Sequence, residues 1–397
     1  MMIPRPCDIA KRTSSVFILL CISLLLYHYI FNSYLNTCQN YEANESDIIV
    51  VKESPNYKKT RDKQINIYLQ SNQKDIYYNN LKLNARKYQQ IVDKERYGSS
   101  IDKRQNITDY CAKNIEENVY LKEANENVGR SQQLVYFDFA HSFLFCQMQK
   151  IGSSTWNRIL LRIRDIKNVQ QYQEDESKLG VIASRKRHFL RDTMYNLPNG
   201  FSLHQVLPRL VTFTFTRHPF SRLVSAYNSK IRTVLSPSDK YYNEDVAIIQ
   251  RNILRKFRQT STSLDRPYPT PKEFIQYLID EVKENGALTL NPHFKPQYAL
   301  CPFCSVDFDF VGDLKYMKED IEYLGKLLNI QKQVTLSNMN ENSHSDFDGF
   351  ISEEDFFRSV PKNLIVILYE NVYKPDFELL SYSYPRYYID LGSTVME

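Results

Sequence analysis

Apolar and polar positions follow three different patterns along the chain. Thr13 to Phe31 is an almost uninterrupted apolar run with no Asp, Glu, Lys or Arg. As a helix it spans roughly 28 Å, close to the hydrocarbon thickness of a bilayer. From Asn32 to Gln133 the chain is polar and rich in Asn, Gln, Lys and Tyr, with a helical pattern only over 81–97. That stretch reads as a stem, with order beginning near Leu134. Beyond it, short apolar runs suited to strands precede segments of helical period.

Phe143 to Met148 is an apolar run compatible with a buried parallel strand, and Trp156, Ile159, Leu160, Ile163 and Ile166 then recur at helical spacing. Leu210 to Thr216 alternates Val211, Phe213 and Phe215 with threonines, which predicts a strand. Pro219 opens a helix carrying Phe220, Leu223, Val224, Tyr227 and Ile231. Further helices are expected over 244–257, 271–283 (started by Thr270 and Pro271) and 316–328, while 363–369 fits strand or helix. The sum is an α/β fold, three layers around a mainly parallel central sheet.

The N-terminus sets the expected compartment. Arg5, Lys11 and Arg12 precede the apolar run against one acid, Asp8, which keeps the tail cytoplasmic. A cleaved signal peptide competes, with Val16 to Leu26 as its apolar part, but no Ala-x-Ala-like site follows. The expectation is a single-pass type II protein. It has a tail at 1–12, a signal anchor at 13–31, a lumenal stem at 32–133 and a catalytic domain at 134–397. The sequons at Asn44 and Asn106 fall on the lumenal side. Cys38, Cys111, Cys146, Cys301 and Cys304 would face an oxidising lumen where disulfides form, with connectivity left open.

Charge locates the chemistry. The 397-residue chain carries a net +5, too little for a polybasic nucleic-acid binder. Residues 150–232, however, hold 15 basic and 5 acidic side chains, whereas 233–397 hold 17 and 25. An anionic ligand near the middle fits that asymmetry.

Two loops carry candidate chemistry there. Lys150-Ile-Gly152-Ser153-Ser154-Thr155 joins the first strand to its helix. A lysine, a glycine and three hydroxyl residues at a helix N-terminus make an anion cradle. An ordinary Ser/Thr helix cap looks the same in isolation. The order is not that of a Walker A motif. The second strand ends in Arg217-His218-Pro219, which places a planar guanidinium at the C-terminal edge of the sheet, where α/β folds bind ligands. Arg222 and Ser225 follow on the helix.

Cys146 to Trp156, together with Arg217-His-Pro-Phe-Ser-Arg-Leu-Val-Ser-Ala-Tyr227, resembles the nucleotide-binding motifs of the membrane-bound carbohydrate sulfotransferases. The likeness is to the chondroitin/dermatan 4-O- and HNK-1-type group. Asn291-Pro-His-Phe, Tyr298 to Cys304, Asp309 to Gly312 and Tyr373 to Tyr382 extend it over about Phe143 to Tyr388. Gln149 stands where the family usually has proline, Phe294 where it has tryptophan, and His218 where it has an acid.

The resemblance implies a P-loop-like sulfotransferase fold, a Golgi membrane location and 3′-phosphoadenosine 5′-phosphosulfate (PAPS) as sulfuryl donor, with no metal required. Lys150 to Thr155 would then hold the 5′-phosphosulfate, and Arg217 and Ser225, with Arg222, the 3′-phosphate. The acceptor would be a glycan, a chondroitin-type chain at the 4-position by best match, and a homodimer is compatible. In-line transfer needs a general base, for which histidine is suited. His188, in Arg185-Lys186-Arg187-His188, is the first candidate and His293 the second; Lys150 would stabilise the leaving phosphate. Arg185, Lys186 and Arg187 either form a solvated face or bind the acceptor. Two other classes compete. Asp307-Phe-Asp309 could serve a Mn²⁺-dependent glycosyltransferase, and a lectin-like binder could use the same fold without catalysis.

Overall fold

The structure is a computed structural model that describes residues 75–98, 102–116, 122, 134–163, 203–232, 244–258, 267–334 and 350–392. The expected anchor at 13–31, Asn44 and the run 185–188 lie outside the described residues. No helix among the described residues is long and apolar enough to cross a membrane.

A mixed four-stranded sheet in the order β1-β2-β3-β4 centres the described part. Its strands are β1 (Leu134–Asp138), β2 (Phe143–Gln147), β3 (Val211–Thr216) and β4 (Phe310–Asp313). β1 runs antiparallel to β2, and the β2–β3 and β3–β4 pairs are parallel. β2 and β3 are buried along their whole length, as apolar and threonine-rich parallel strands must be. Thr212, Thr214 and Thr216 spend their hydroxyls on the carbonyls of Asp307, Cys146 and Gly312, so their burial leaves no hydroxyl donor unmet. Parallel pairing puts the C-terminal ends of β2 and β3 at one edge of the sheet, and both loops singled out in the sequence begin there.

The helices α1 (Asp75–Tyr97) and α2 (Lys103–Asn114) revise the expectation that order begins near Leu134. Tyr78, Leu81, Ala85 and Val92 of α1 and Ile107 of α2 join the core around the sheet. A disulfide between Cys111 and Cys304 ties α2 to the segment before β4, and a second joins Cys146 of β2 to Cys301. The polar composition of this stretch hid the helices, because their attachment is ionic as much as apolar. Lys82 and Arg86 pair with Asp309, Arg86 and Arg104 with Asp307, and Arg96 with Asp320.

The remaining principal elements are α3 (Ser153–Ile163), α4 (Pro219–Ala226) and α5 (Glu244–Phe257). They continue with α6 (Pro271–Asn285), α7 (Met317–Leu327), α8 (Glu353–Arg358), α9 (Lys362–Leu368), α10 (Lys374–Leu379) and α11 (Arg386–Leu391). The ambiguous segment at 363–369 is helical. α6 begins with a full capping box between Thr270 and Glu273. α4 runs on as one π-helical turn, Tyr227–Ile231. Its apolar face, with α6, α8, α9 and α10, forms a second core cluster around Phe220, Phe274, Phe356 and Tyr373.

Candidate functional site

The loop from β2 into α3 is shaped by backbone that side chains seldom adopt. Lys150 has φ +67° and Gly152 φ +64°, both in the left-handed region. A Cβ on Gly152 would stand 2.4 Å from the Met317 sulfur, so the loop needs glycine for space as well as for conformation. The first helical bond of α3 runs from Trp156 N–H to Gly152 O. The N–H groups of Ser153, Ser154 and Thr155 therefore fall in a first turn that has no intrahelical acceptors. Ser153 and Thr155 are half-buried and Ser154 is exposed.

Lys150 and Arg217 are brought together, as the sequence implied. Arg217 donates to the Lys150 carbonyl at 3.3 Å. Its own backbone is fixed by Gln297, whose side chain accepts from Arg217 N–H and donates to Arg217 O. The Lys150 ammonium donates to Ser229 Oγ at 2.7 Å, and Ser229 in turn bonds the Ser225 carbonyl one turn earlier. Among the described residues neither cation has a carboxylate in ion-pair range. Burial, reinforced by Lys230, Arg217 and Arg222, pushes the Lys150 pKa down to about 7. Burial also lowers that of Arg217, opposed by Glu353, Tyr382 and Asp313. Two cations this close with no counter-charge are stable only marginally until an anion arrives.

Arg222 departs from the expected role. It is fully buried, and its guanidinium donates to the carbonyls of Gln149 (2.8 Å), Lys295 (2.6 Å) and Pro292 (2.9 Å). It is a clamp between the Lys150 loop and the 291–295 loop rather than a free phosphate grip. The clamp sets His293 in the loop beside Lys150; the His293 N–H donates to Asn291 Oδ1. Asp376, buried and missed by motif reading, anchors the next segment by accepting from the N–H groups of Gln297 and Tyr298. Burial lifts its pKa to about 6 against those bonds.

His218 replaces an acid beside Arg217 and is enclosed by aromatic rings. Tyr388 stacks on it at 5.0 Å, and Phe220, Phe377 and Tyr382 meet it edge-on. Burial drops its pKa to about 4, so it adds no charge at neutral pH.

Two other expectations change. Asp309 is buried and accepts from Lys82, Arg86 and the Thr212 N–H, and Asp307 accepts from Arg86 and Arg104. Carboxylates so saturated by cations have no lone pairs to offer a metal, which removes the basis of the glycosyltransferase reading. The Asn106 amide donates to the carbonyls of Glu378 and Leu379, with both N–H bonds used. A glycosylated amide keeps only one, so this asparagine serves to dock α2 on α10.

Helical spacing could have found Ser229, four residues past Ser225. No local signal marks Gln297 or Asp376, whose partners are distant in sequence.

The sulfotransferase family description matches residues 133–383. That is well over half of the chain, which belongs to the sulfotransferase family. Carbohydrate sulfotransferase 12 of Mus musculus is 25% identical over 260 residues, covering 63% of this chain and 60% of that protein. Carbohydrate sulfotransferase 11 of Rattus norvegicus is 24% identical over 288 residues, covering 72% and 76%. Carbohydrate sulfotransferase 14 of Danio rerio is 30% identical over 185 residues, covering 46% and 45%. The match thus spans less than two thirds of the length of some of these relatives. No solved structure matches the chain significantly.

Proposed function

We propose that the protein is a PAPS-dependent carbohydrate O-sulfotransferase. The observation that carries the reading is the pair Lys150 and Arg217, two cations without carboxylate partners at the ends of adjacent parallel strands. In this reading the α3 N-terminus, with Gly152, Ser153, Ser154 and Thr155, holds the 5′-phosphosulfate, and Arg217 with Ser225 holds the 3′-phosphate.

The acceptor hydroxyl oxygen attacks sulfur in line. A new O–S bond forms as the S–O bond to the 5′-phosphate breaks, and 3′-phosphoadenosine 5′-phosphate leaves. Lys150 neutralises the charge that gathers on the departing oxygen. A histidine takes the acceptor proton. His188 and His293 are the candidates, and the Arg222 clamp favours His293 by holding its loop next to Lys150. Arg185, Lys186 and Arg187 are proposed to meet the acceptor. For acceptor we propose a chondroitin-type chain sulfated at the 4-position of N-acetylgalactosamine. For location we propose the Golgi membrane, with the catalytic part in the lumen.

The test is the purified full-length protein with radiolabelled PAPS and a panel of desulfated glycosaminoglycans and N-glycans. Label should move to at least one acceptor without added Mn²⁺, with desulfated chondroitin foremost. Lys150→Ala should reduce turnover by roughly 10²–10³-fold, the size of one lost electrostatic donor. Absence of transfer to every acceptor together with absence of PAPS binding would sink the proposal. His188→Ala and His293→Ala, assayed for turnover at saturating PAPS, decide which histidine is the base.

A further inference from the structure

A buried lysine from ahead of the family-matched region reaches the crevice from behind. Lys103, in the first turn of α2, is 4% exposed. Its Nζ lies 3.6 Å from Asp313 Oδ2 and 3.2 Å from the Tyr97 hydroxyl, over whose ring it sits at 4.6 Å. Asp313 ends β4 and is the register partner of Thr216, the residue before Arg217. One strand spacing, about 4.8 Å, therefore separates the backbone bearing this carboxylate from the backbone leading into the guanidinium.

Every lone-pair direction of Asp313 is nevertheless turned elsewhere. Oδ2 is 3.1 Å from the Tyr382 hydroxyl and 3.4 Å from that of Tyr97, and Oδ1 accepts from the Lys315 N–H at 2.9 Å. The Tyr382 hydroxyl also lies 3.2 Å from Thr216 Oγ1, which ties it to the end of β3. A carboxylate beside an arginine pairs with it, commonly bidentately, unless other donors hold it.

We infer that Lys103, acting with Tyr97 and Tyr382, is a positioning residue for the donor site: it occupies the Asp313 carboxylate and so leaves the Arg217 guanidinium open to an anion. The inference rests on the reading of Arg217 as the grip on the 3′-phosphate. A merely structural Lys103 would also stabilise the fold, but it would not make donor affinity depend on the charge of Asp313. Neutralising Asp313 therefore separates the two roles.

The readout is the affinity of the full-length protein for 3′-phosphoadenosine 5′-phosphate, measured by isothermal titration calorimetry. Lys103→Met should weaken it about tenfold, the equivalent of one charge-assisted contact withdrawn from the ligand. Asp313→Asn alone should bind at or near the wild-type affinity. The double variant should recover to within about threefold of wild type, since no carboxylate is left to compete. Undiminished binding by Lys103→Met, or a loss that Asp313→Asn does not reverse, overturns the inference.

If Lys103→Met does not fold, Tyr382→Phe takes its place. Weakening by about threefold, reversed by Asp313→Asn, is the supporting result; unchanged or unreversed affinity overturns it. Arg217→Ala, measured alongside, distinguishes the two levels. Wild-type binding by that variant would bring down the reading of the crevice and the inference with it. Loss in Arg217→Ala without loss in Lys103→Met would bring down the inference alone.

Discussion

Lys150 combines a left-handed backbone, a half-buried ammonium and a neighbourhood of like charge. Its pKa of about 7 gives a signed expectation. Below that pH the ammonium is already formed, and an anion binds without drawing a proton to it. Above it, binding must pull a proton onto Lys150, so affinity falls by up to about tenfold per pH unit. Calorimetry at pH 8 in buffers of different ionisation enthalpy should show uptake of about one proton on binding 3′-phosphoadenosine 5′-phosphate. No uptake would mean that Lys150 does not meet the ligand. Gly152→Ala tests the loop itself. The left-handed φ costs a Cβ-bearing residue about 1–2 kcal/mol, and Met317 must move as well. Donor binding should fall steeply while thermal unfolding shifts by only a few degrees; unimpaired binding would show that the loop is not shaped for a ligand.

At the level of elements, the two strand–loop–helix units were legible because each depends on local pattern. β3 alternates, α3 and α4 repeat at helical spacing, and Thr270 with Pro271 marks a helix start. The Glu244–Phe257 helix has the bounds its periodicity gave. α1 and α2 were not legible as part of the folded unit, since their attachment is made by cations whose partners lie some 200 residues further on. Those ion pairs should be costly to break from one side. Lys82→Met combined with Arg86→Met leaves Asp309 buried and without a cation, which should cost about 3 kcal/mol. Urea denaturation checks this; a change under about 1 kcal/mol would mean that the helices are held by their apolar contacts alone.

For the molecule as a whole, this attachment sets where a working chain can begin. A chain starting at Leu134 would lose the cations paired with Asp307, Asp309 and Asp320 and half of the Cys111–Cys304 bridge. It should aggregate on expression, whereas one starting near residue 70 should stay soluble and bind donor. A folded, donor-binding 134–397 fragment would contradict this. The charge asymmetry also becomes intelligible at this scale. The basic middle supplies Lys150 and Arg217 to the crevice, while carboxylates of the acidic C-terminal part, Asp307, Asp309, Asp313 and Asp320, take the cations of α1 and α2.

The sequence alone determined the strands and helices of the two anion-facing loops and the residues they present, because periodicity, turn chemistry and motif spacing act over a few residues. Only the tertiary structure decided which charges are spent. It turned Arg222 into a clamp on carbonyls, Asn106 into a docking contact and Asp307 and Asp309 into ion-pair partners. It left Lys150 and Arg217 without carboxylates. Whether a polar group is free for chemistry depends on which donors and acceptors surround it after burial, and most of those come from distant parts of the chain.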